Sequence, residues 1–443
     1  MKKSIATFIL SAFVYFIPGW NGTIAQIPPK FTGSLEYSPA LVQGVPGSWD
    51  ETAVFIPKVF IHDGTFYMFY IGMKGGGVTS IGLATSTDGY DFTKFQDNPV
   101  LTPSSSGFDS YMVSVGVVIE DPSGWTMYYN ARELAGFGPG PYIGRATATD
   151  LTGPWTKSPD PVLTVGSTDE WDNVFIEPDA VFTVDGGSFI MFYSAGNFQT
   201  DEDFQIGLAT SPDGLVWTKY NDPSTTDAPY AESDPVLRYG DPGYWDERIV
   251  WLPSVLKNEV GYEMYYTGFN YTSPQTIGYA TSPDGINWTK YPDNPIYTRV
   301  DDPYALEYGY NLVMGPSVVI NGLTAFMYYF YGAPEPGLIG MATGAITGIS
   351  EWRNPDDEMP VTNYPNPVSR STTFSYTLQE QGQVTLRIYD FSGRLVAEPL
   401  NAQQAKGDQQ VIWDAEGMSA GIYFYQLRAK SVGQIGTGKL VKY

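Results

Sequence analysis

The sequence predicts an all-β protein: a five-bladed β-propeller closed by its own N-terminal segment, followed by a small C-terminal β-sandwich. Three observations predict it. A unit of about sixty to seventy residues recurs five times, one unit is divided between the two ends of the repeat, and the pattern changes after Gly348.

The repeat is anchored on Ile-Gly pairs at Ile81, Ile143, Ile206, Ile277 and Ile339, each followed by x-Ala-Thr. An aromatic strand precedes every pair, as in Phe66-Tyr67-Met68-Phe69-Tyr70 and Tyr262-Glu263-Met264-Tyr265-Tyr266. Three pairs are followed by Asp-Gly at Asp88, Asp213 and Asp284, and four by an aromatic-Thr-Lys triplet ending at Lys94, Lys157, Lys219 and Lys290. Each unit therefore offers about four short strands joined by tight turns, and glycine tolerates the positive φ those turns need. One such unit cannot cover both of its faces, but stacking on its neighbours does so. Radial stacking of four-stranded units makes a propeller.

The ends argue for closure. The fifth unit stops after Ala342-Thr343-Gly344, without the later strands of the others. The N-terminus supplies them: Ser38-Pro39-Ala40-Leu41 through Trp49-Asp50 matches Asp234-Pro235-Val236-Leu237 through Trp245-Asp246 at identical spacing, with Phe31-Thr32 near the place of Trp-Thr. A closed ring leaves no exposed sheet edge.

Composition narrows the function classes. There is no cysteine, so disulfides, thiolate metal sites and cysteine nucleophiles are excluded. The single histidine, His62, sits beside Asp63-Gly64 in an apparent turn, a poor place for the base of a serine triad. Residues 361–443 carry 8 Lys and Arg and 6 Asp and Glu, which leaves 16 basic and 42 acidic side chains in the first 360. A field of that sign repels nucleic acid and anionic membranes. Residues 1–25 read as an export signal: Lys2 and Lys3, an apolar stretch from Ile5 to Ile17, and small residues Thr23 and Ala25 before Gln26. No later stretch is apolar for long enough to make a transmembrane helix. The expected organisation is signal 1–25, propeller 26–350, acidic linker 351–360 and C-terminal domain 361–443, acting as a monomer.

The C-terminal domain runs through Asn363-Tyr364-Pro365-Asn366-Pro367, Leu386-Arg387-Ile388-Tyr389-Asp390, Gly393-Arg394, Ala420-Gly421-Ile422-Tyr423-Phe424-Tyr425 and Gly438-Lys439-Leu440-Val441. This succession resembles the C-terminal sorting domain of the type IX secretion system. The resemblance implies that secretion machinery as a partner, passage across two membranes, and release or anchoring at the surface.

Functional residues of a propeller should break its repeat, because one ligand sits off the pseudo-symmetry axis. The inner strands contain Ile56-Pro57, Ser114-Val115, Glu177-Pro178, Leu252-Pro253 and Gly315-Pro316. Glu177 is the only acid in that register, and Asp179 lies two residues on. A buried acid of this kind is costly when unpaired and has its pKa raised, which suits a general acid. Asp50 and Asp109 belong to a repeated Asp that most simply holds the strand starts. Glu51, Lys58, Arg132, Glu133, Arg248, Trp251, Tyr310 and Asn311 read as further breaks in the repeat, with Trp251 and Tyr310 placed either to stack on sugar rings or to fill the core.

The blade pattern also resembles the five-bladed glycoside hydrolase superfamily, which includes the family 43, invertase and family 130 types. The resemblance implies a carbohydrate ligand, with an Asp before the proline in the first blade as base or nucleophile, an Asp in the second that tunes or positions, and a Glu in the third as acid. Here Ile56 stands at the first position and Ser114 and Val115 at the second. Glu177 answers to the third, one residue nearer the proline than is usual. Glu51, Asp50 or Asp109 is then the candidate for the missing partner, with Trp251, Arg248, Tyr310, Asn311 and Arg132 as substrate contacts. Two functions stay open: a glycosidase acting on a neutral polysaccharide or oligosaccharide, and a non-catalytic glycan-binding or surface-display propeller. Neither needs a cofactor, and no metal-ligand set is legible.

Overall fold

The structure is a computed structural model that describes residues 28–121, 124–134, 140–184, 187–197, 203–258, 261–332, 336–346, 361–378, 380–390, 395–429 and 434–443. The expected export signal and the linker at 351–360 lie outside the described residues.

From Lys30 to Ala345 the described chain is a run of antiparallel units, the third and fourth joined into one nine-stranded sheet by a parallel bridge between Phe204 and Ile249. The first unit orders Ala53–His62, Thr65–Lys74, Val78–Ser86 and Thr93–Lys94. The second begins with Met112–Asp121, Gly124–Arg132 and Tyr142–Ala148. The third begins with Phe175–Thr183, Phe189–Asn197 and Asp203–Ser211. The fourth comprises Ile249–Asn258, Gly261–Asn270, Ser273–Ser282 and Thr289–Lys290. The fifth has Leu312–Asn321, Thr324–Gly332 and Leu338–Ala345, and its outer strand is Lys30–Gly33, with Phe31 opposite Gly344 and Thr32 opposite Thr343.

Aromatic and β-branched residues dominate these strands because they fit a pleated, two-sided surface. The burial they achieve lies between units. One apolar cluster joins Phe69 and Ile81 of the first unit to Val113 and Met127 of the second. Others join Tyr128 to Met191, Phe192 to Met264, and Tyr265 to Met327. A further cluster joins Phe66 and Tyr70 of the first unit to Phe326 and Tyr328 of the fifth. Every unit thus packs on two others, each buried large apolar side chain contributing on the order of 1.5–3 kcal/mol.

A second device recurs within units. The Asp of each Trp-Asp or Phe-Asp pair is buried and takes an ammonium from the aromatic-Thr-Lys strand. Lys94 donates to Asp50 at 2.5 Å, Lys157 to Asp109 at 2.5 Å, Lys219 to Asp172 at 2.5 Å and Lys290 to Asp246 at 2.7 Å. Tyr70, Tyr129 and Tyr266 donate to the first, second and fourth of these carboxylates. The preceding loop is tied down as well, since the N–H groups of Gly44, Gly166 and Gly240 donate to the carbonyls of Asp50, Asp172 and Asp246. Glycine is required there because a Cβ at Gly44 or Gly240 would run into the Asp carboxylate. The fifth unit has no such lysine. Its Asp302 caps the helix Pro303–Tyr308 by accepting from Tyr304 N at 2.9 Å and Ala305 N at 3.0 Å, and also accepts from Tyr297, Tyr329 and Tyr331. A buried carboxylate with every lone pair engaged avoids the desolvation cost of an isolated one.

The C-terminal part is a two-sheet sandwich. Val361–Tyr364, Ser371–Leu378 and Gly407–Asp414 form one sheet, and Gly382–Asp390, Leu395–Gln404, Gly421–Ala429 and Gln434–Lys442 the other. Phe374, Tyr376 and Trp413 of the first sheet share a core with Leu386, Ile388 and Tyr425 of the second.

Candidate functional site

The inner strand of every unit carries a bulge at the same height. In the first, fourth and fifth units it is Ile56-Pro57, Leu252-Pro253 and Gly315-Pro316, skipped between Phe55 and Lys58, Trp251 and Ser254, and Met314 and Ser317. Ile56, Leu252 and Gly315 are held at φ of 47°, 50° and 63°, a left-handed conformation rare for branched side chains. In the second and third units the skipped residues are Gly116 and Asp179. The bulges converge. A Cβ on Gly315 would lie 3.0 Å from Cδ1 of Ile56 and 3.5 Å from Cδ1 of Leu252, and one on Gly116 would collide with Pro178. Ile56, Val113, Val115, Leu252 and Met314 close over this centre as one apolar cluster, rimmed by the partly exposed Phe55, Trp251, Leu312 and Phe330.

One polar group stands among them. Glu177 and Asp179 are both buried, each 4% exposed. Asp179 is pinned from two sides: Lys58 of the first unit donates to Oδ1 at 3.1 Å, and Ser194 donates to Oδ2 at 2.6 Å. Ser194 in turn accepts from the N–H of Leu252 at 2.8 Å, tying third and fourth units together. The Glu177 backbone pairs with Ser194 in the sheet, but its carboxyl has no hydrogen-bond partner among the described residues. Burial, with the neighbouring Asp179 charge, pushes its pKa up to about 8 against the pull of Lys58. Burial raises Asp179 too, but the ammonium and the hydroxyl oppose that. Of the two carboxyls, Glu177 is therefore the one that keeps its proton at neutral pH, and Asp179 is the charged partner of Lys58.

The other residues singled out from sequence are distributed differently. Asp50 and Asp109 do not reach Glu177 as free groups; each is consumed by its lysine and tyrosine. Glu51 is not a break in the repeat, because its counterpart is Glu247. Glu51 accepts from Gly47 N at 2.5 Å, and Glu247 accepts from Gly243 N in the same turn. Tyr310 is buried: its ring packs against both Tyr304 and Tyr331, and its hydroxyl donates to the Pro336 carbonyl at 3.2 Å. Trp251 belongs to the central rim, with its ring 4.9 Å from Phe204. Arg248 lies three residues before it, with its guanidinium 4.9 Å from the Tyr271 ring. Arg132 is half-buried opposite Met112, and burial holds its pKa below the usual value. Glu133 accepts from Tyr142 at 3.3 Å, and Asn311 is exposed just before the fifth inner strand. His62 lies at the end of its strand, between Asp63 at 3.5 Å and Glu120 at 3.7 Å. The Asp-Gly turns are structural: Asp88, Asp213 and Asp284 each accept from the two backbone N–H groups at the turn. Lys58, read from sequence only as a break in the repeat, is the residue that organises the centre.

Comparison with known proteins bears on both parts. Residues 362–442 match the family model described as a secretion system C-terminal sorting domain. No curated protein matches the chain in sequence. Among solved structures, the β-1,2-mannobiose phosphorylase of Listeria innocua in complex with β-1,2-mannobiose is similar with a TM-score of 0.53 at 15% identity, over 72% of this chain and 98% of that one. A thermostable family-43 glycoside hydrolase gives 0.48 at 20% identity, over 69% and 91%. An endo-arabinase from Bacteroides thetaiotaomicron gives 0.47 at 12%, over 69% and 97%. The likeness to these proteins is one of fold. The chain thus joins a fold similar to that of propeller carbohydrate enzymes to a type IX secretion sorting domain, and the latter makes it an exported protein, secreted or attached to the cell surface.

Proposed function

We propose that the protein is an exported glycan-binding propeller whose central acid is not half of a hydrolytic pair. In this reading the five antiparallel units form a closed ring, with Lys30–Gly33 completing the fifth, and residues 1–25 start the export. The ligand is a carbohydrate, met at the central rim by the apolar rings of Phe55, Trp251 and Phe330. The fold likeness to carbohydrate enzymes supports that ligand class. Aromatic rings offer large apolar faces suited to the C–H side of a sugar.

One observation carries the non-catalytic part: among the described residues no second carboxylate stands free opposite Glu177. Glycoside hydrolysis needs one carboxyl to protonate the leaving oxygen and a second, ionised one to attack carbon or activate water. Glu177 has the properties of the first. For the second, Ile56 and Val115 are apolar members of the central cluster, Asp50 and Asp109 are neutralised by lysines, and Asp179 is held by Lys58 and Ser194. Asp179 is also adjacent to Glu177 on one strand, so the two do not oppose each other across a bond.

The glycosidase reading keeps one observation in its favour, the raised pKa of Glu177. The two readings separate in one experiment. Wild type and Glu177→Gln are titrated calorimetrically with neutral oligosaccharides and assayed on a panel of aryl-glycosides. Binding without turnover in both supports the proposal. Turnover in the wild type that is lost in Glu177→Gln overturns it in favour of hydrolysis.

A further inference from the structure

An open groove of about 360 Å³ lies on the flank of the fourth unit, lined by none of the residues of the central cluster. It is lined by Arg238, Tyr239, Asp241, Tyr244, Trp288 and Lys290, with the buried Asp246 beneath. Its volume falls in the range typical of ligand pockets, roughly 300–1,000 Å³.

The frame of this groove, with Trp288, Lys290 and Asp246, is repeated, and the loop side chains that line it are not. The loop after Leu237 is tied by Gly240 N donating to the Asp246 carbonyl, as the loops after Leu41 and Leu163 are tied by Gly44 to Asp50 and by Gly166 to Asp172. The three loops run to the same length, so their positions correspond one to one. Arg238, Tyr239, Asp241 and Tyr244 stand where the N-terminal copy has Val42, Gln43, Val45 and Ser48. The third copy has Thr164, Val165, Ser167 and Glu170 there, and its loop is covered by the chain's own segment. In that copy Ser167 N donates to Glu232, Glu232 N donates to Glu170, and Trp171 donates to Ser233. A structural loop needs only the glycine and the Asp. Arg238 is held by Asp234 and Tyr230, and Tyr239 packs on the core, but the 61% exposed Tyr244 and the exposed Asp241 add an aromatic face and a carboxylate that the frame does not use.

The lining also specifies a ligand class. Its cations are both engaged: Lys290 is bound to Asp246 at 2.7 Å and Arg238 to Asp234 at 3.2 Å, with the carboxylate of Asp241 alongside. An anion would meet two carboxylates in the same cradle, which disfavours a phosphate or a uronate. Arg238 is pre-organised, stacked 4.0 Å from the Tyr230 ring centroid and bonded to Asp234 at 3.2 Å, so it loses little freedom on binding. Tyr244 is 61% exposed, and the ring of Trp288 forms part of the wall. Aromatic faces beside fixed donors and acceptors suit a neutral ring with an apolar face and a girdle of hydroxyls. We infer that this flank groove is a second, independent binding site for one end of a neutral sugar chain. The choice of a sugar rests on the carbohydrate reading proposed above; the existence of the site does not.

The test uses the full chain labelled with 5-fluorotryptophan, whose fluorine signals report Trp288 and Trp251 separately. The probes are xylobiose, galactobiose and β-1,2-mannobiose at millimolar concentrations, with inorganic phosphate and digalacturonate as anionic controls. The expected result is a saturable shift of the Trp288 signal by at least one neutral disaccharide and by neither anion. Tyr244→Ala and Arg238→Gln, both at exposed positions, are expected to weaken that response at least tenfold and to leave any Trp251 response unchanged. Calorimetry on the same variants gives the comparison without signal assignment. If Trp251 responds and Trp288 does not, the flank site is wrong and the central reading stands. If Trp288 alone responds, the flank site stands and the central reading falls. If neither responds, or if the anions displace the sugars, the inference is overturned.

Discussion

The repeated aspartates and the central glutamate are all buried acids in one propeller, and they are treated in opposite ways. Asp50, Asp109, Asp172 and Asp246 each have an ammonium within 2.7 Å. Among the described residues Glu177 has none at that distance, and Lys58, the cation that acts on it, is bonded to Asp179 instead. The difference teaches which acids hold the fold and which one departs from it. An acid that recurs with its own lysine is part of the blade. An acid that occurs once, without a lysine of its own, is not part of that repeated frame.

The largest expected effect tests the first half of that comparison. Lys219→Met leaves Asp172 buried with no counter-charge and should cost about 3–5 kcal/mol in urea unfolding. Adding Asp172→Asn should recover most of the loss, because the uncompensated charge rather than the missing contact is what destabilises. A single variant within 1 kcal/mol of wild type, on the order of ordinary surface pairs, would break the comparison.

Next in size is the pH dependence assigned to Glu177. Its pKa is raised from 4.5 to about 8 on folding. Between those values the native state binds the extra proton, so stability is full below about pH 4.5 and falls as pH rises through 8. Roughly 2–4 kcal/mol should be lost between pH 5 and pH 8. Glu177→Gln should flatten that fall and be the more stable protein at pH 8; equal slopes for the two proteins would remove the assignment.

Smaller still, Gly240→Ala pushes a methyl group into the Asp246 carboxylate and should cost about 1–3 kcal/mol by thermal melting. At the low end, Glu51→Gln should change stability by less than about 0.5 kcal/mol, because Glu51 is a half-exposed turn acceptor with a counterpart at Glu247. A collapse in this variant would restore Glu51 as a special residue.

The unit length and the strand contents were legible because aromatic strands and Gly turns repeat at fixed spacing, and both are local properties. The clasp was not legible, although both halves are in the sequence: Asp and Lys stand 44, 48, 47 and 44 residues apart in the four copies. That near-constant separation is a signal, but only sheet register shows that the two ends touch. The central cluster had a subtler mark. The residues that follow the inner-strand prolines are Lys58, Asp179, Ser254 and Ser317. Opposite charges at one position of the inner strands mark a pair between units, whereas the position before the proline marks Glu177 alone. Glu51 is a repeated residue, since Trp49-Asp50-Glu51 matches Trp245-Asp246-Glu247. Tyr310 misled because an aromatic at a strand start faces either the funnel or the neighbouring helix, and sequence does not record that the helix Pro303–Tyr308 stands there.

The account turns on the ionisation of one side chain. Carbon-13 NMR of the glutamate carboxyls, with the Glu177 signal assigned by its loss in Glu177→Gln, follows that group directly through a pH titration. A midpoint near 8 is predicted. A midpoint at or below the ordinary carboxylate range, about 4–5, would mean that Glu177 is charged and compensated like the repeated aspartates, and the distinction between them would be gone.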